Sequence, residues 1–347
     1  MVATSGNGAR PPAVTDLWYA SELPEACVSL DALLGGRVLL RRFCARSALA
    51  RGLALFWFGR RHSVILTKFH PVTGIVLPLL EALAGRRRLV FLEFITPFAW
   101  TSGNGPLGRV LTAAYSFYLH VVVAPILRRS LKAAQVMTAW EGERYARTYG
   151  IPVERFRLIP WSLNQGEWEP RDLDGAEGNL MVLSSGRAAC DWDTLFEAAR
   201  GAPWPLTVIC GRDDRPRVDR LNRDGRATVL SEVSLAEHAG HVRNATVYVL
   251  CLLDIEASSG QIRLGNCNEI GTPVVASRVS GLQPYIVEGV NAVTVAAGDA
   301  VALRRAIDGL LASPEARRAL ARRARVHSLS FTRAEQMGRI SSLVQEA

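Results

Sequence analysis

The sequence predicts an α/β protein of two domains, with a doubly wound parallel sheet in its second half. Its 347 residues are too many for one ordinary hydrophobic core and suit two domains of average size. The second half alternates short apolar runs with helical patterns, as a doubly wound parallel sheet does. In the first half, residues 89–95 are nearly all apolar, which is typical of a parallel strand buried on both faces.

The elements follow from hydrophobic periodicity and from the positions of glycine and proline. In the first half the predicted helices cover residues 38–58, 77–84, 110–127 and 141–149, and the predicted strands cover 63–67, 89–95 and 135–139. In the second half the predicted strands cover 180–184, 206–210, 228–230, 246–251, 273–276 and 292–295, with helices at 192–200, 235–243, 262–270, 282–287, 301–311 and 315–326.

Composition divides the chain into five segments. Residues 1–13, which include Pro11 and Pro12, are predicted to be a flexible tail. An N-terminal domain covers 14–162, a polar linker covers 163–178 and a C-terminal domain covers 179–328. The last segment, 329–347, is predicted to form a helix that returns to the N-terminal domain.

Positive charge is concentrated in the N-terminal half. Between Ala32 and Trp140 there are fifteen Arg and Lys residues but only two acids, Glu81 and Glu93, so this segment has a net charge of +13. Since the whole chain has a net charge of +9, the remainder has a net charge of −4. The preference for arginine over lysine reflects a GC-rich, bacterial type of codon usage. Codon usage does not explain why acidic residues are missing from this segment. The asymmetry predicts an anionic partner for this half: a membrane surface, a lipid phosphate or a nucleic acid.

Residues 106–131 are apolar on most faces, apart from one narrow polar stripe of Arg109, Thr112, Ser116 and His120. Two interpretations stay open: a helix buried in the domain, or a monotopic element that lies on a bilayer with its arginines at the headgroups. A membrane span needs about 20 apolar residues, and the histidine and Pro125 in this stretch predict that it does not cross a bilayer.

The six cysteines, at positions 27, 44, 190, 210, 251 and 267, are dispersed, with no Cys-x-x-Cys pair and no histidine at ligand spacing. The sequence therefore predicts no disulfide framework and no metal site. A reducing cytoplasm is the predicted location, with peripheral attachment to the inner face of the plasma membrane if the basic half meets lipid.

The strongest motif opens a predicted helix after a predicted strand: Ser258-Ser259-Gly260-Gln261. Small residues at a helix start leave backbone N–H groups available at the positive end of the helix dipole, which suits a phosphate. An ordinary helix cap uses the same residues. The position of the motif after a predicted strand favours the phosphate site over an ordinary cap, because open α/β sheets bind ligands at the carboxyl ends of their strands.

The run from this motif through Gly271-Thr272-Pro273 to Asn291 resembles retaining family 4 glycosyltransferases, the glycosyl transferases of group 1. The resemblance extends from about residue 135 to 325. It implies an α/β, GT-B fold of two Rossmann-like domains that face a cleft. It also implies a nucleotide-sugar donor bound by the C-terminal domain, no separate cofactor, and metal-independent transfer with retention. The acceptor, which is lipid-linked, a polysaccharide or a natural product, would bind the N-terminal domain.

By resemblance, Gly186 and Arg187 hold the donor diphosphate, and Arg187 also acts in catalysis because a guanidinium fits two phosphate oxygens. A surface arginine is the alternative. Relatives use a second cation from the next strand, for which Arg212 is the nearest substitute. Relatives also have two glutamates that contact the donor, and these fall on Ser258 and Asn266; an amide can still bond a ribose hydroxyl.

Glu93 is the candidate catalytic residue of the N-terminal half, because it is a carboxylate at the end of an apolar strand in a segment almost without acids. Relatives often have an acceptor contact near this position. The alternative is a structural ion pair with Arg86, Arg87 or Arg88.

Two other functions stay open. One is a catalytically inactive glycosyltransferase homologue, which the missing glutamates suggest. The other is a nucleotide-binding or nucleic-acid-binding protein on a Rossmann-like scaffold. No nucleic-acid partner is expected, since the basic half lacks regular interleaving of basic and aromatic residues.

Overall fold

The computed structural model describes residues 13–23, 25–95, 106–174, 180–255 and 258–347. The chain forms two compact units: Met1–Pro160 with Met337–Ala347, and Trp161–Gln336. The predicted tail, apart from Ala13, lies outside the described residues, as do residues 175–178 of the predicted linker. Earlier in that segment, Glu269 accepts hydrogen bonds from the backbone N–H groups of Gln165 and Trp168, each at 2.9 Å.

The first unit contains a parallel sheet. Its described strands are β1 (Ala13–Thr15), β2 (Cys27–Ser29), β3 (Val64–Lys68), β4 (Leu89–Leu92), β5 (Leu131–Val136) and β6 (Phe156–Leu158). They lie in the order β2-β1-β3-β4-β5-β6. The sequence missed β1, β2 and β6 because three-residue strands are too short to show a period.

Helices precede and follow these strands. They are α1 (Leu30–Leu34), α2 (Val38–Arg46), α3 (Ala48–Phe58), α4 (Val76–Leu83), α5 (Pro106–Tyr118), α6 (Ala124–Ser130) and α7 (Ala139–Tyr149). The prediction of one helix over 38–58 is wrong, because Ser47 is extended and its side chain caps α3. The strand predicted at 135–139 is wrong in its bounds: β5 begins at Leu131 and ends at Val136. It ends there because Thr138 and Glu141 form a capping box that starts α7.

The second unit contains the sheet that the sequence predicted in detail. Its strands are β7 (Val182–Gly186), β8 (Leu206–Cys210), β9 (Ala227–Ser231), β10 (Val247–Leu250), β11 (Val274–Arg278) and β12 (Val293–Ala296), all parallel and in the order β12-β11-β10-β7-β8-β9. Its helices are α8 (Trp192–Ala199), α9 (Arg215–Leu221), α10 (Leu235–Asn244), α11 (Gln261–Ile270), α12 (Ala300–Ala312) and α13 (Pro314–Ser328).

One predicted helix of this unit is wrong. Residues 282–287 form turns after a short 3₁₀ segment, Ser280–Leu282. The side chain of Asn291 accepts a hydrogen bond from the Val287 N–H and donates one to the Tyr285 carbonyl, each at 2.8 Å. These bonds occupy backbone groups that a helix would need.

The first sheet is covered on both faces. Ile65 and Phe91 pack among helices α1 to α7, whereas their neighbours Leu66 and Val90 pack against the C-terminal helix, α14 (Arg333–Glu346). The alternation follows from the period of two along a strand. From Met337 onward, α14 belongs to the first unit.

Candidate active site

The strand order of the second sheet reverses between β10 and β7. Ligands of open α/β sheets bind at such a point, outside the carboxyl ends of the strands. Gly186 ends β7 and Arg187 follows it, Arg212 follows β8, and the segment from Ser258 to Gln261 follows β10. The structure therefore brings these predicted donor residues to one edge of one sheet, and Asn266 follows in the second turn of α11.

The N-terminus of α11 depends on Gly260. This residue has φ of 87°, which favours glycine, and a Cβ there would lie 2.7 Å from a Leu252 methyl carbon. Among the described residues, no side chain forms a capping hydrogen bond at Gly260. Ser258 and Gln261 beside it are buried. The first-turn N–H groups and the helix dipole thus provide the positive end that the motif predicts.

Arg187 is exposed, and its side-chain stem runs past Gly211, where a Cβ would lie 3.2 Å from Arg187 Cγ. Neither Arg187 nor Arg212 forms a side-chain hydrogen bond or ion pair with any described residue. Both guanidinium groups are consequently available to a bound anion. Among the described residues, no group of three or more His, Cys, Asp or Glu side chains is arranged to hold a metal ion.

Arg263, in the first turn of α11, is a site residue that the sequence analysis missed. Its guanidinium donates hydrogen bonds to the carbonyls of Ser185 (2.6 Å) and Ala188 (3.2 Å), on either side of Gly186 and Arg187. A Cβ at Gly186 would overlap the Arg263 guanidinium and the Cys190 sulfur. The sequence signal is a cation two residues after Gly-Gln at a helix start. Arg263 thus supplies a second positive charge at this edge and fixes the loop that carries Arg187.

A buried polar cluster supports the same loop from within the unit. The Ser185 hydroxyl lies 2.8 Å from His238 Nε2 and 2.7 Å from the Tyr248 hydroxyl. Burial, followed by the positive charges of His241 and Arg263, lowers the pKa of His238 below its usual 6.5. Burial raises the pKa of Tyr248. The cluster is therefore neutral, and its hydrogen bonds hold the end of β7.

Asn266 lies on the second turn of α11 with only 9% of its surface exposed. Its side-chain amide forms no hydrogen bond with the described residues. A partly accessible amide that the protein does not use is suited to a hydroxyl of a ligand. The ribose contact of Asn266 stays a prediction.

Glu93 lies in the first unit, directly after β4, with φ of 49°. Its carboxylate is 2.7 Å from Lys68 Nζ, and its N–H donates to the Gln135 side chain at 3.1 Å. The predicted alternative, a structural pair with Arg86 to Arg88, is wrong: Arg88 pairs with the buried Glu81 at 2.7 Å. A strained backbone that presents a charged side chain at a strand end is typical of functional positions.

Comparisons with known proteins agree with this geometry. Residues 194–313 match the family model described as Glycosyl transferases group 1. No curated protein sequence matches the chain. Sucrose-phosphate synthase from Thermosynechococcus elongatus is 20% identical with a TM-score of 0.66, over 86% of this chain and 77% of its own.

Two further solved structures are similar. Anabaena HepE in complex with UDP-glucose is 15% identical, with a TM-score of 0.65, over 96% of this chain and 92% of its own. The lipopolysaccharide outer core galactosyltransferase WaaB is 11% identical, with a TM-score of 0.58, over 86% and 80%. At these identities the structures establish the fold, which is the predicted GT-B fold. The family match confirms the predicted class, a glycosyltransferase; retention stays a prediction.

Proposed function

We propose that this GT-B glycosyltransferase of group 1 transfers a sugar from a nucleoside diphosphate sugar to an acceptor that is anionic or lipid-linked. Polysaccharides and natural products are included among the acceptors. One observation carries the proposal: Arg187, Arg263 and the uncapped N-terminus of α11 meet at the carboxyl edge of the second sheet. This is the place and the charge that a diphosphate requires.

The same groups account for the chemistry. Negative charge develops on the diphosphate as the sugar departs, and preorganised donors lower the barrier when they are aimed at that charge. Arg187 binds and stabilises the leaving group, while Arg263 fixes the loop and adds its charge. In this proposal the arginines and the helix dipole do the work that a divalent metal does elsewhere, no cofactor takes part, and the anomeric configuration is retained.

We place the activity in the cytoplasm, peripherally on the inner face of a bacterial plasma membrane. Two opposite stripes run along the helical segment Leu107–Ser130. One packs in the core through residues such as Leu119 and Leu127, and the other exposes Leu107, Val110 and Phe117 by 65–72%. A surface helix does not usually expose an apolar stripe of this kind.

The neighbouring helices extend the same feature. Helix α2 contacts α3, α3 contacts α4, and α4 contacts α6. Phe43 on α2 is 63% exposed, and Trp57 on α3 is 61% exposed beneath the Arg60 guanidinium. The two acids between Ala32 and Trp140, Glu81 and Glu93, are both in ion pairs. Exposed aromatic residues among uncompensated arginines are suited to an anionic bilayer surface.

By length and composition alone Leu107–Ser130 could also cross a membrane, so its histidine and proline do not by themselves exclude a span. That the segment does not cross a bilayer stays a prediction. The helix is continuous because a π-helical segment, Leu119–Val123, joins α5 to α6. We favour the surface position, since spanning would remove Leu119, Val123 and Leu127 from the core.

Nucleotide binding tests the donor assignment. Calorimetry with UDP, GDP, ADP and dTDP should show one preferred diphosphate. UDP is tried first because HepE was solved with UDP and UDP-glucose. Slow hydrolysis of the matching nucleotide sugar separates an enzyme from an inactive homologue, the alternative suggested by Ser258 and Asn266. If none of the diphosphates binds, the proposed donor site is refuted.

Flotation with vesicles tests the membrane assignment. The triple variant Phe43→Ser, Trp57→Ser, Phe117→Ser should lose at least about tenfold in partition onto phosphatidylglycerol vesicles. Binding of the unaltered chain should fade as salt shortens the Debye length to about 8 Å.

The matched control makes the same change at exposed apolar positions of the second unit: Leu235→Ser, Val301→Ser, Val326→Ser, which are 63–72% exposed. Equal losses in both triples would refute the surface. Resistance of the bound protein to alkaline extraction would refute the peripheral position in favour of a span.

A further inference from the structure

The first unit contains a cavity of about 700 Å³ beside the carboxyl end of β1. Its lining comes from the segment after β1, from α1 and α2, and from the start of α3. The charged and aromatic side chains of this lining are Asp16, Trp18, Asp31, Arg41, Arg42 and Arg51. A volume of this size holds a sugar with a substituent.

Asp16 is the most unusual group in the cavity. Its side chain is 10% exposed, and the closest cation is Arg51, whose Nη1 lies 3.7 Å from Oδ2. Oδ1 is buried and has no hydrogen-bond partner among the described residues. Burial raises the pKa of the Asp16 carboxyl above its usual 3.8, outweighing the neighbouring Thr67 hydroxyl and Arg51. A buried carboxylate oxygen without a partner is costly unless a ligand hydroxyl bonds it.

The arginines of the cavity are not equivalent. Arg41 lies 3.5 Å from Asp31, and Arg51 lies beside Asp16. Arg42 has no ion pair with a described residue and is exposed. The lining therefore offers an acceptor for a hydroxyl at Asp16 and an uncompensated guanidinium for an anion at Arg42.

The cavity also adjoins the other functional features of this unit. Thr67, whose hydroxyl neighbours Asp16, precedes Lys68, and Lys68 pairs with Glu93. Helix α2 supplies Arg42 to the cavity and exposes Phe43 to solvent. A ligand held at Asp16 and Arg42 is thus bound at the same edge of the sheet as the candidate catalytic carboxylate, since Asp16 follows β1, Glu93 follows β4, and β3 lies between these strands.

We propose that this cavity is the acceptor site, and that it takes a polyhydroxylated ring carrying a phosphate, with a ring hydroxyl bonded to Asp16 and the phosphate bound by Arg42. The assignment rests on the proposed glycosyl transfer, whose acceptor it specifies. Trp18, which is 77% exposed at the cavity, provides a face for the ring.

Binding of defined probes tests the site without any need for turnover. Titrations of the full chain with glucose 1-phosphate, inorganic phosphate and glucose, followed by NMR, should show the phosphosugar binding most tightly. Arg42→Gln should weaken the binding of glucose 1-phosphate at least about tenfold, the scale of one charge-assisted contact. Asp16→Asn should reduce the affinity for glucose 1-phosphate to the affinity for inorganic phosphate.

Arg46→Gln is the matched control, because Arg46 is exposed on the same helix and does not line the cavity. It should leave glucose 1-phosphate binding unchanged. UDP affinity should be unchanged in all three variants, so a failure here is distinguishable from a failure of the donor assignment. Competition between UDP and glucose 1-phosphate for one site, equal effects of Arg42→Gln and Arg46→Gln, or no saturable binding would each overturn the proposal.

The same chemistry has a soluble and a lipid source. Vesicles containing phosphatidylinositol present a hydroxylated ring on a phosphate, whereas phosphatidylglycerol vesicles have the same charge without the ring. A lipid-linked acceptor should produce an excess of binding to the phosphatidylinositol vesicles that Asp16→Asn abolishes. If the phosphosugar saturates the site and both vesicles bind equally, the acceptor is soluble, and the cavity assignment stands on the Arg42 and Asp16 results.

Discussion

Replacing Arg263 by alanine should uncouple the loop after β7 from α11. The guanidinium makes charge-assisted bonds to two carbonyls, at 2.6 and 3.2 Å, on both sides of Arg187. Such a bond contributes about 1.5 kcal/mol or more net, but Arg263 is only partly buried, so water recovers part of that when the side chain is removed. We expect the free energy of unfolding to fall by about 1 to 2 kcal/mol.

The larger effect should be on the donor. Removing one cation and loosening the loop that carries another should weaken nucleoside diphosphate binding by about 2 kcal/mol, which is roughly thirtyfold in Kd. Arg263→Lys should recover only part of this, because an ammonium cannot reach two divergent carbonyls with the geometry of a guanidinium.

Calorimetry with a nucleoside diphosphate and with its parent nucleoside gives the decisive comparison. The loss should appear with the diphosphate and be absent with the nucleoside, because in the proposed site only the phosphates contact Arg263. Arg305→Ala, an exposed arginine on α12, is the control for a general change in charge. Equal losses for both ligands would refute the phosphate role and leave Arg263 a purely structural residue.

Further predictions concern single residues. Arg187→Ala should weaken diphosphate binding by about 2 kcal/mol without lowering the melting temperature, and unchanged affinity by calorimetry would remove it from the site. Asn266→Ala should cost roughly 1 kcal/mol with a ribonucleotide and nothing with the 2′,3′-dideoxy analogue. Glu93→Gln should leave diphosphate affinity intact and lower kcat/KM for the acceptor at least about tenfold, whereas an unchanged rate would exclude a catalytic role. Because the pKa of His238 is lowered, its stabilisation is complete above about pH 6.5 and is lost as the pH falls toward the folded-state value; melting curves from pH 8 to 5 should show a smaller loss in His238→Gln.

The second unit could be predicted from the sequence because its strands are buried and its helices amphipathic. All six predicted strands are present, and the phosphate motif is where the strand order places it. Prediction failed where a single side chain decides the backbone. In the first unit, Ser47 divides one predicted helix into two. In the second unit, the hydrogen bonds of Asn291 replace a predicted helix by turns. Neither residue changes the hydrophobic period.

The first unit was less predictable, and its site residues show why. Asp16 follows a three-residue strand that a loose, polar N-terminus conceals, so nothing in its neighbourhood marks it as buried. Glu93 was identified from its contrast with an apolar strand, but its partner was not, since Lys68 lies on a different strand. Arg263 of the second unit was missed for a similar reason: its carbonyl partners are more than seventy positions away, and the contact exists only in the folded sheet.

The replacement of the two glutamates of related enzymes changes the charge of the donor site in a definite direction. Ser258 and Asn266 are neutral, while Arg187, Arg212 and Arg263 remain, so the edge of the second sheet is more positive than it would be with carboxylates at those positions. A diphosphate should gain from this, because like-charge repulsion is absent. A ribose should lose, because an amide–hydroxyl bond is about half as strong as one to a carboxylate. The donor affinity of this chain should therefore reside in the phosphates rather than in the ribose.

The measurable consequence is a steep salt dependence: raising ionic strength should weaken nucleoside diphosphate binding far more than it weakens nucleoside binding. Parallel salt dependences for the two ligands would contradict the argument.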